Sequence, residues 1–398
     1  PPAGAAGPAG GSPAGAEAAR SGEPLAALAL ALALHGGRAR TVLAWAERWR
    51  AFAGGARDAG RLSPPGPREL RAALGGAALV EFVRHGDELA AVAVTPGRVA
   101  LRRLGSLAAA AEAVVRLRYG LRRRHLLDGE DPGLAAEARA VERMLLGPLL
   151  PLLGDRPLVV VPAGALHVLP WPLLPTVAGR PVTVAVSAAA WLAGRRAGGA
   201  EAAPRRGGTV AVAGPGLRCA GEEAEMVAAR RPGTERVPAT RRAVTAALER
   251  AAVAHLAAHG TFCARSPLLS GIDLDDGRLM AYDLLRLRTP PELVVLSACD
   301  AGMAHAPADG APLGLAGAFL ASGTRCVVAG LVPVRDDETL TLMTAFHGLL
   351  AAGLPPAAAL AEAGRSTGVD GFACFGYGDQ PVATGRDGSA THSDQEPT

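Results

Sequence analysis

The sequence predicts an α/β sandwich with a mostly parallel central sheet, preceded by a short helical segment. Three observations carry that prediction. Short apolar runs bounded by turn residues (LVVV, TVAVA, VAHLA, LVVLS, RCVVA) read as strands buried on both faces, as in parallel sheets. Stretches with helical periodicity lie between them, the alternation that builds such sheets. Nearly half of the 398 residues are hydrophobic but only 4% are aromatic, so the core must be built from Ala, Val and Leu.

In chain order, residues 1–24 are rich in Pro, Gly, Ala and Ser and read as a disordered linker. Residues 25–53 read as helix, within a helical segment 25–62. Val42, Trp45, Trp49 and Phe52 fall at helical spacing, and Gly54 and Gly55 stop the run. This is either one amphipathic helix packed on the body or the last helical hairpin of a repeat array; one hairpin cannot demonstrate a repeat. The chain begins at Pro1 rather than Met, which fits a fragment of something longer. After the loop SPPGP (63–67) a short helix leads into three antiparallel strands, with turns at His85-Gly86-Asp87 and Pro96-Gly97. Helices follow over about 107–126 and 133–152, split at residues 128–132. LVVVPAGALHVLPWPLLP supplies a buried strand, a turn and a second short element, and Gly and Arg over 194–208 mark an internal linker.

The second half alternates more regularly. TVAVAG (209–214) is a strand and GEEAEMVAAR a helix, and Thr240 caps another helix. The strand VAHLA runs up to His259, and Asp276-Gly277 then signals a hairpin. A short helix at about 282–287 precedes the strand LVVLS, which runs up to Cys299. The loop 303–312 is polar, Gly-bearing and expected to be mobile. LGLAGAFLAS is a helix stopped by Gly323, and RCVVAG another strand. Asp336 or Asp337 caps ETLTLMTAFHGLLAA, PPAAALAEAGR is the last helix and FACFGYG the last strand. A disordered tail occupies 384–398.

Composition excludes several functions. The 41 basic residues are all arginine, the net charge is only +4, and no basic block alternates with aromatics, so nucleic acid is not an expected partner. Cys219, Cys263, Cys299, Cys326 and Cys374 are odd in number, widely spaced and form no CxxC pair, which argues against a zinc site or a disulfide framework. Reduced thiols in a cytoplasmic protein are the simpler reading. The apolar run Leu25 to Leu34 is too short to span a bilayer, and no basic n-region precedes it, so neither a membrane nor a signal peptide is expected. Gly214, Gly216 and Gly221 lie between a strand and a helix, but their spacing is wrong for GxGxxG. No GxSxG elbow or HExxH pair occurs.

The informative residues are His259 and Cys299, forty positions apart, each at the end of an apolar run. Ligands and reacting groups of parallel sheets gather at the carboxyl ends of the strands. His259 can take the Cys299 thiol proton and later protonate a leaving amine. The backbone N–H groups of Gly260 and Cys299 are candidate oxyanion donors. Taken singly, either side chain reads more simply as structural; the pair, each beside a small residue, favours the dyad. His255, about 13 Å down the same strand, reads as a core histidine. Asp300, Asp336 and Asp337 are candidates for a pocket selecting arginine or lysine.

Hydrophobic block, His-Gly, spacer, hydrophobic block, Ala-Cys resembles the pattern of the caspase-like cysteine peptidases. The strings AGEEAEM, VAHLAAHGTFCARSPLLSGIDLDDG, LVVLSACDAG and LGLAGAFLASGTRCVVAGLVPVRDDET are similar to the CHAT family, a caspase-like domain found after tetratricopeptide repeat (TPR) arrays. The likeness runs from about Arg68 to Val382. It implies a CHAT domain over 68–383, with a supporting half at 68–205 and a catalytic half at 208–383, built as a caspase-like three-layer sandwich. It also favours the repeat-remnant reading of the first helices. Asp300-Ala301-Gly302 departs from the family's usual Glu-Ser/Thr-Gly, LVPV lacks a frequent Trp, and the stretch before FACFGYG is short. The expectation is a cysteine endopeptidase using His259 and Cys299 on a protein substrate, without metal or cofactor, switched on by a protein partner or the repeat array. The alternative is a catalytically silent scaffold or signalling module on the same fold.

Overall fold

The computed structural model describes residues 13–53, 64–127, 132–197, 207–298, 301–303 and 314–382. The expected features at residues 1–12, Gly54–Gly55, 128–131, most of the 194–208 linker, 304–312 and 384–398 fall outside the described residues, as do Cys299 and Asp300.

The first segment departs from the linker expectation and, of the two helical readings, takes the hairpin rather than the single helix. Helix α1 spans Pro13–Gly36, so the second half of the expected linker is helical. Its Ala- and Leu-rich composition is strongly helix-forming. The helix expected over 25–53 is two helices, α1 and α2 (Ala39–Ala53), parted at Gly36-Gly37, where Gly37 has φ +67°. A left-handed glycine ends a helix at little steric cost. Leu30 and Leu34 of α1 pack with Val42, Leu43 and Ala46 of α2, so the segment is a helical hairpin.

α3 (Pro67–Leu74) leads to the antiparallel strands β1 (Ala78–His85), β2 (Glu88–Val94) and β3 (Val99–Ser106). Helices α4 (Leu107–Leu127), α5 (Pro132–Leu145) and α6 (Leu150–Leu153), strands β4 (Leu158–Val161) and β5 (Val182–Val184) and helix α7 (Ala188–Ala197) complete the first half. The second half runs β6 (Thr209–Ala213), α8 (Ala220–Arg230), β7 (Glu235–Val237), α9 (Arg241–Leu248) and β8 (Val253–Ala257). There follow β9 (Gly260–Thr261), β10 (Gly271–Leu274), β11 (Gly277–Met280), α10 (Ala281–Leu284), β12 (Leu293–Ser297), α11 (Leu315–Ser322), β13 (Cys326–Gly330), α12 (Asp336–Ala351), α13 (Pro356–Thr367) and β14 (Phe372–Gly376).

Eleven strands form one sheet in the order β3-β2-β1-β4-β5-β14-β13-β12-β8-β6-β7. Strands β1, β4, β5 and β14 are parallel, as are β13, β12, β8, β6 and β7; the two blocks meet antiparallel at β13 and β14. The carboxyl ends of β8 and β12 therefore share one edge. Helices cover both faces. Ala78, Val80 and Phe82 of β1 pack with α4 and α5, whereas Leu79 and Val83 pack with α1, α2, α3 and α7. Leu293 to Leu296 of β12 are all fully buried, each burial contributing about 1.5–3 kcal/mol. A separate sheet, β11-β10-β9, holds the expected Asp276-Gly277 hairpin. Among the described residues no helix is long and apolar enough to cross a membrane.

Candidate active site

The site starts from the register of two parallel strands. Ser297 at the end of β12 pairs with Ala257 at the end of β8, and the Ala258 N–H donates to the Ser297 carbonyl at 3.3 Å. Ala258 and Ala298 are both buried, and their small side chains let the strand ends pack closely. Past Ala258 the chain turns out of the large sheet. His259 is exposed, and its carbonyl accepts from the Asp273 N–H at 2.9 Å, handing the chain to β9 of the small sheet. Cys299 follows Ala298 directly in the chain.

That hand-over orients Gly260. It stands opposite Ile272, beside the hydrogen-bonded 259/273 pair. Antiparallel pairs alternate between bonded and non-bonded, so the Gly260 N–H points away from β10 and is not spent on the ladder. On the other side, the loop between β6 and α8 touches the imidazole. A Cβ added at Gly216 would stand 3.2 Å from both Nε2 and Cδ2 of His259.

A small cleft opens beside the strand ends, lined in part by Leu217, Glu223, Ser297, Ala298, Asp336 and Phe372. Ser297 Oγ is buried with no hydrogen-bond partner. Of the three expected pocket acids, Asp336 lines the cleft, Asp337 pairs with Arg335 (3.3 Å) and is half exposed, and Asp300 lies outside the described residues. Neither Asp336 nor Asp337 caps α12 as expected: its N-cap is Arg335, without a side-chain cap bond. Asp336 Oδ2 instead accepts the Arg218 backbone N–H at 2.9 Å.

Beneath the cleft lies a buried polar chain. Glu223 Oε2 is 3.0 Å from His255 Nε2, and His255 Nδ1 is 3.1 Å from His347 Nε2. Burial, then the neighbouring His255 and Arg231, hold the His347 imidazole well below its ordinary pKa. His255 is thus a core histidine. Sequence reasoning missed Glu223, Ser297 and His347; the one available signal was two adjacent glutamates in the first turn of a helix that follows a strand.

The sequence matches the CHAT domain family over residues 135–367. An 85-residue stretch, 21% of this chain, is 40% identical to human "Tetratricopeptide repeat protein 28" and 41% identical to the mouse protein of that name. The chain spans only about 3% of the length of those relatives. Two crystal structures of the Saccharomyces cerevisiae separase–securin complex superimpose over 89% of this chain and 34% of theirs, with TM-scores of 0.60 and 0.54 at 8% and 9% identity. That likeness extends over the fold, in keeping with the caspase-like α/β architecture that the sequence implied. With more than half of its length matched, the chain belongs to the CHAT domain family.

Proposed function

We propose that this CHAT protein is a cysteine endopeptidase in which Cys299 is the nucleophile and His259 the base. The observation that carries the reading is the pairing of Ser297 with Ala257, which brings the residue before Cys299 and the residue before His259 to one edge beside one cleft. His259 takes the thiol proton, and the thiolate attacks the scissile carbonyl carbon. The oxyanion is held by the N–H groups of Gly260 and Cys299. The imidazolium then gives its proton to the leaving amine, and water hydrolyses the thioester. Asp336, with Glu223 deeper in the cleft, favours an arginine or lysine side chain before the cut bond. Asp337, paired with Arg335, is left out of this pocket, and Asp300 stays a candidate for it. A protein partner or preceding repeats switch the enzyme on; the similar separase structure is of a complex. Reduced cysteines fit a cytoplasmic setting.

The test is labelling of Cys299 by a peptidyl ketone ending in arginine. Labelling that is lost in His259→Ala and weaker for a norleucine ketone supports the proposal. Equal labelling of His259→Ala, or none in the presence of cell extract, favours the rival reading of a silent scaffold on the same fold.

A further inference from the structure

We infer that Gly216 is a positioning residue for His259, and that Asp336 acts on the same imidazole by latching the loop that carries Gly216. The inference rests on the dyad reading and adds to it what sets the base's geometry. Three anchors hold the segment 214–223 against the site. The Gly214 N–H donates to the Ala257 carbonyl at 2.7 Å, and a Cβ at 214 would stand 2.6 Å from Ala258 Cβ, so only glycine lets the loop lie on the end of β8. The Arg218 N–H is held by Asp336 Oδ2 from the first turn of α12. Glu223, in the first turn of α8, is held by His255 of β8.

Between the first two anchors Gly216, at φ +81°, lies against the Nε2–Cδ2 edge of His259. A methyl group there meets two ring atoms at 3.2 Å, tighter than ordinary contact. His259 is exposed, so its ring would swing away rather than compress. The loop meets the Nε2–Cδ2 edge, and the opposite edge carries Nδ1, which we take as the nitrogen that accepts the thiol proton. Asp336 then has two separable roles: its charge in the cleft and its acceptor oxygen on the loop.

Histidine-selective 13C/15N NMR of the full chain, with His259 assigned through His259→Gln, reads ring position; alkylation of Cys299 by iodoacetamide reads its consequence. Gly216→Ala should shift the His259 ring signals and slow alkylation by about 10²-fold, the scale of a 1 Å misplacement. Gly233→Ala is the control for backbone strain, because Gly233 has φ +86° and nothing within 4 Å of an added Cβ; it should change neither. Asp336→Ala should shift the His259 signals, and Asp336→Asn, which keeps an acceptor oxygen, should not. Unmoved His259 signals in both Gly216→Ala and Asp336→Ala, or equal shifts in Gly233→Ala, overturn the inference. If wild-type Cys299 reacts no faster than a free thiol, the dyad reading fails while the ring signals still test the loop.

Discussion

His255 and His347 share a hydrogen bond, Nδ1 to Nε2 at 3.1 Å, where neither ring is exposed to solvent. Glu223 fixes the proton pattern. A carboxylate accepts, so we assign His255 the Nε2–H tautomer, with its Nδ1 accepting from His347 Nε2–H. His347 Nδ1 is left buried and without a partner. Protonating it would create a cation with nowhere to donate, which is why burial, His255 and Arg231 together depress its pKa.

A pH effect follows. Unfolded, His347 titrates near 6.5, whereas folded it stays neutral well below that. In between, the unfolded chain binds more protons, so this group's contribution is present above about pH 6.5 and is lost below it at up to about 1.4 kcal/mol per pH unit. His347→Gln lacks the effect. Its stability deficit against wild type, read from urea midpoints, should shrink from about pH 8 to about pH 5. A constant deficit would refute the proton pattern.

Where α2 meets the sheet, two buried glutamates compete for one arginine. Glu47 accepts the N–H groups of Ala188 (2.9 Å) and Ala189 (2.7 Å) at the start of α7, while Arg50 reaches Glu81 at 3.2 Å. Burial and the charge of Glu47 push the Glu81 pKa well up; burial also raises Glu47, but the two backbone donors oppose it. Glu47 is therefore the ionised member and Glu81 the protonated one. Glu81→Gln should cost less than about 1 kcal/mol and Glu47→Gln about 1–3 kcal/mol, since its amide nitrogen would confront one of the two donors. The raised Glu81 pKa makes its contribution full below pH 4.5 and lost as pH rises, so Glu81→Gln should gain on wild type toward neutral pH. Equal costs in urea melts would reject the assignment.

What could be read from sequence follows physical range. The strands β8 and β12 announced themselves as apolar runs ending at polar residues, so the edge carrying His259 was legible. Strands β5 and β7 were not: each is three residues long and exists because neighbouring strands supply its partners. The break at Gly36-Gly37 was visible but outweighed by helical spacing on both sides. Asp336 looked like a cap because helix starts favour Asp; its bond to Arg218, 118 positions away, leaves no local trace. Glu223, His255 and His347 likewise meet only through the layering of α8, β8 and α12.

The other cysteines bear on the labelling experiment. Cys326 and Cys374 are buried with sulfurs 3.4 Å apart, and the bond to Cys326 followed by burial pushes the Cys374 thiol well up. Thiolates react, not thiols, so Cys374 should be silent until unfolding, and Cys326, equally buried, is out of the reagent's reach. Cys219 is buried and Cys263 partly exposed. Mass spectrometry after brief iodoacetamide treatment should find Cys263 as the sole competitor of Cys299, and Cys263→Ala should leave Cys299 alone modified. Native-state labelling of Cys374 would contradict its burial.

The first half of the domain does more than support the sheet. Arg118 of α4 donates through Nη2 to the Leu331 carbonyl at 2.9 Å and to the sulfur of Met303, four residues after Cys299. The Gly302 N–H donates to the Gly330 carbonyl at 2.7 Å, so the chain just past Cys299 is tied to the end of β13 and, through Arg118, to α4. The same helix reaches α12 by His125 Nδ1 to Glu338 Oε2 at 2.6 Å. Arg118→Met leaves a buried carbonyl short of a donor and should cost about 1–3 kcal/mol. It should also slow Cys299 alkylation under conditions where the chain remains folded. Arg116, on the same helix, pairs with Glu137 at 2.9 Å but is more than half exposed, so Arg116→Met should cost less than about 1 kcal/mol and leave alkylation unchanged. If the two substitutions slowed alkylation equally, the effect would belong to α4 as a whole and the specific tie from Arg118 to Met303 would be rejected.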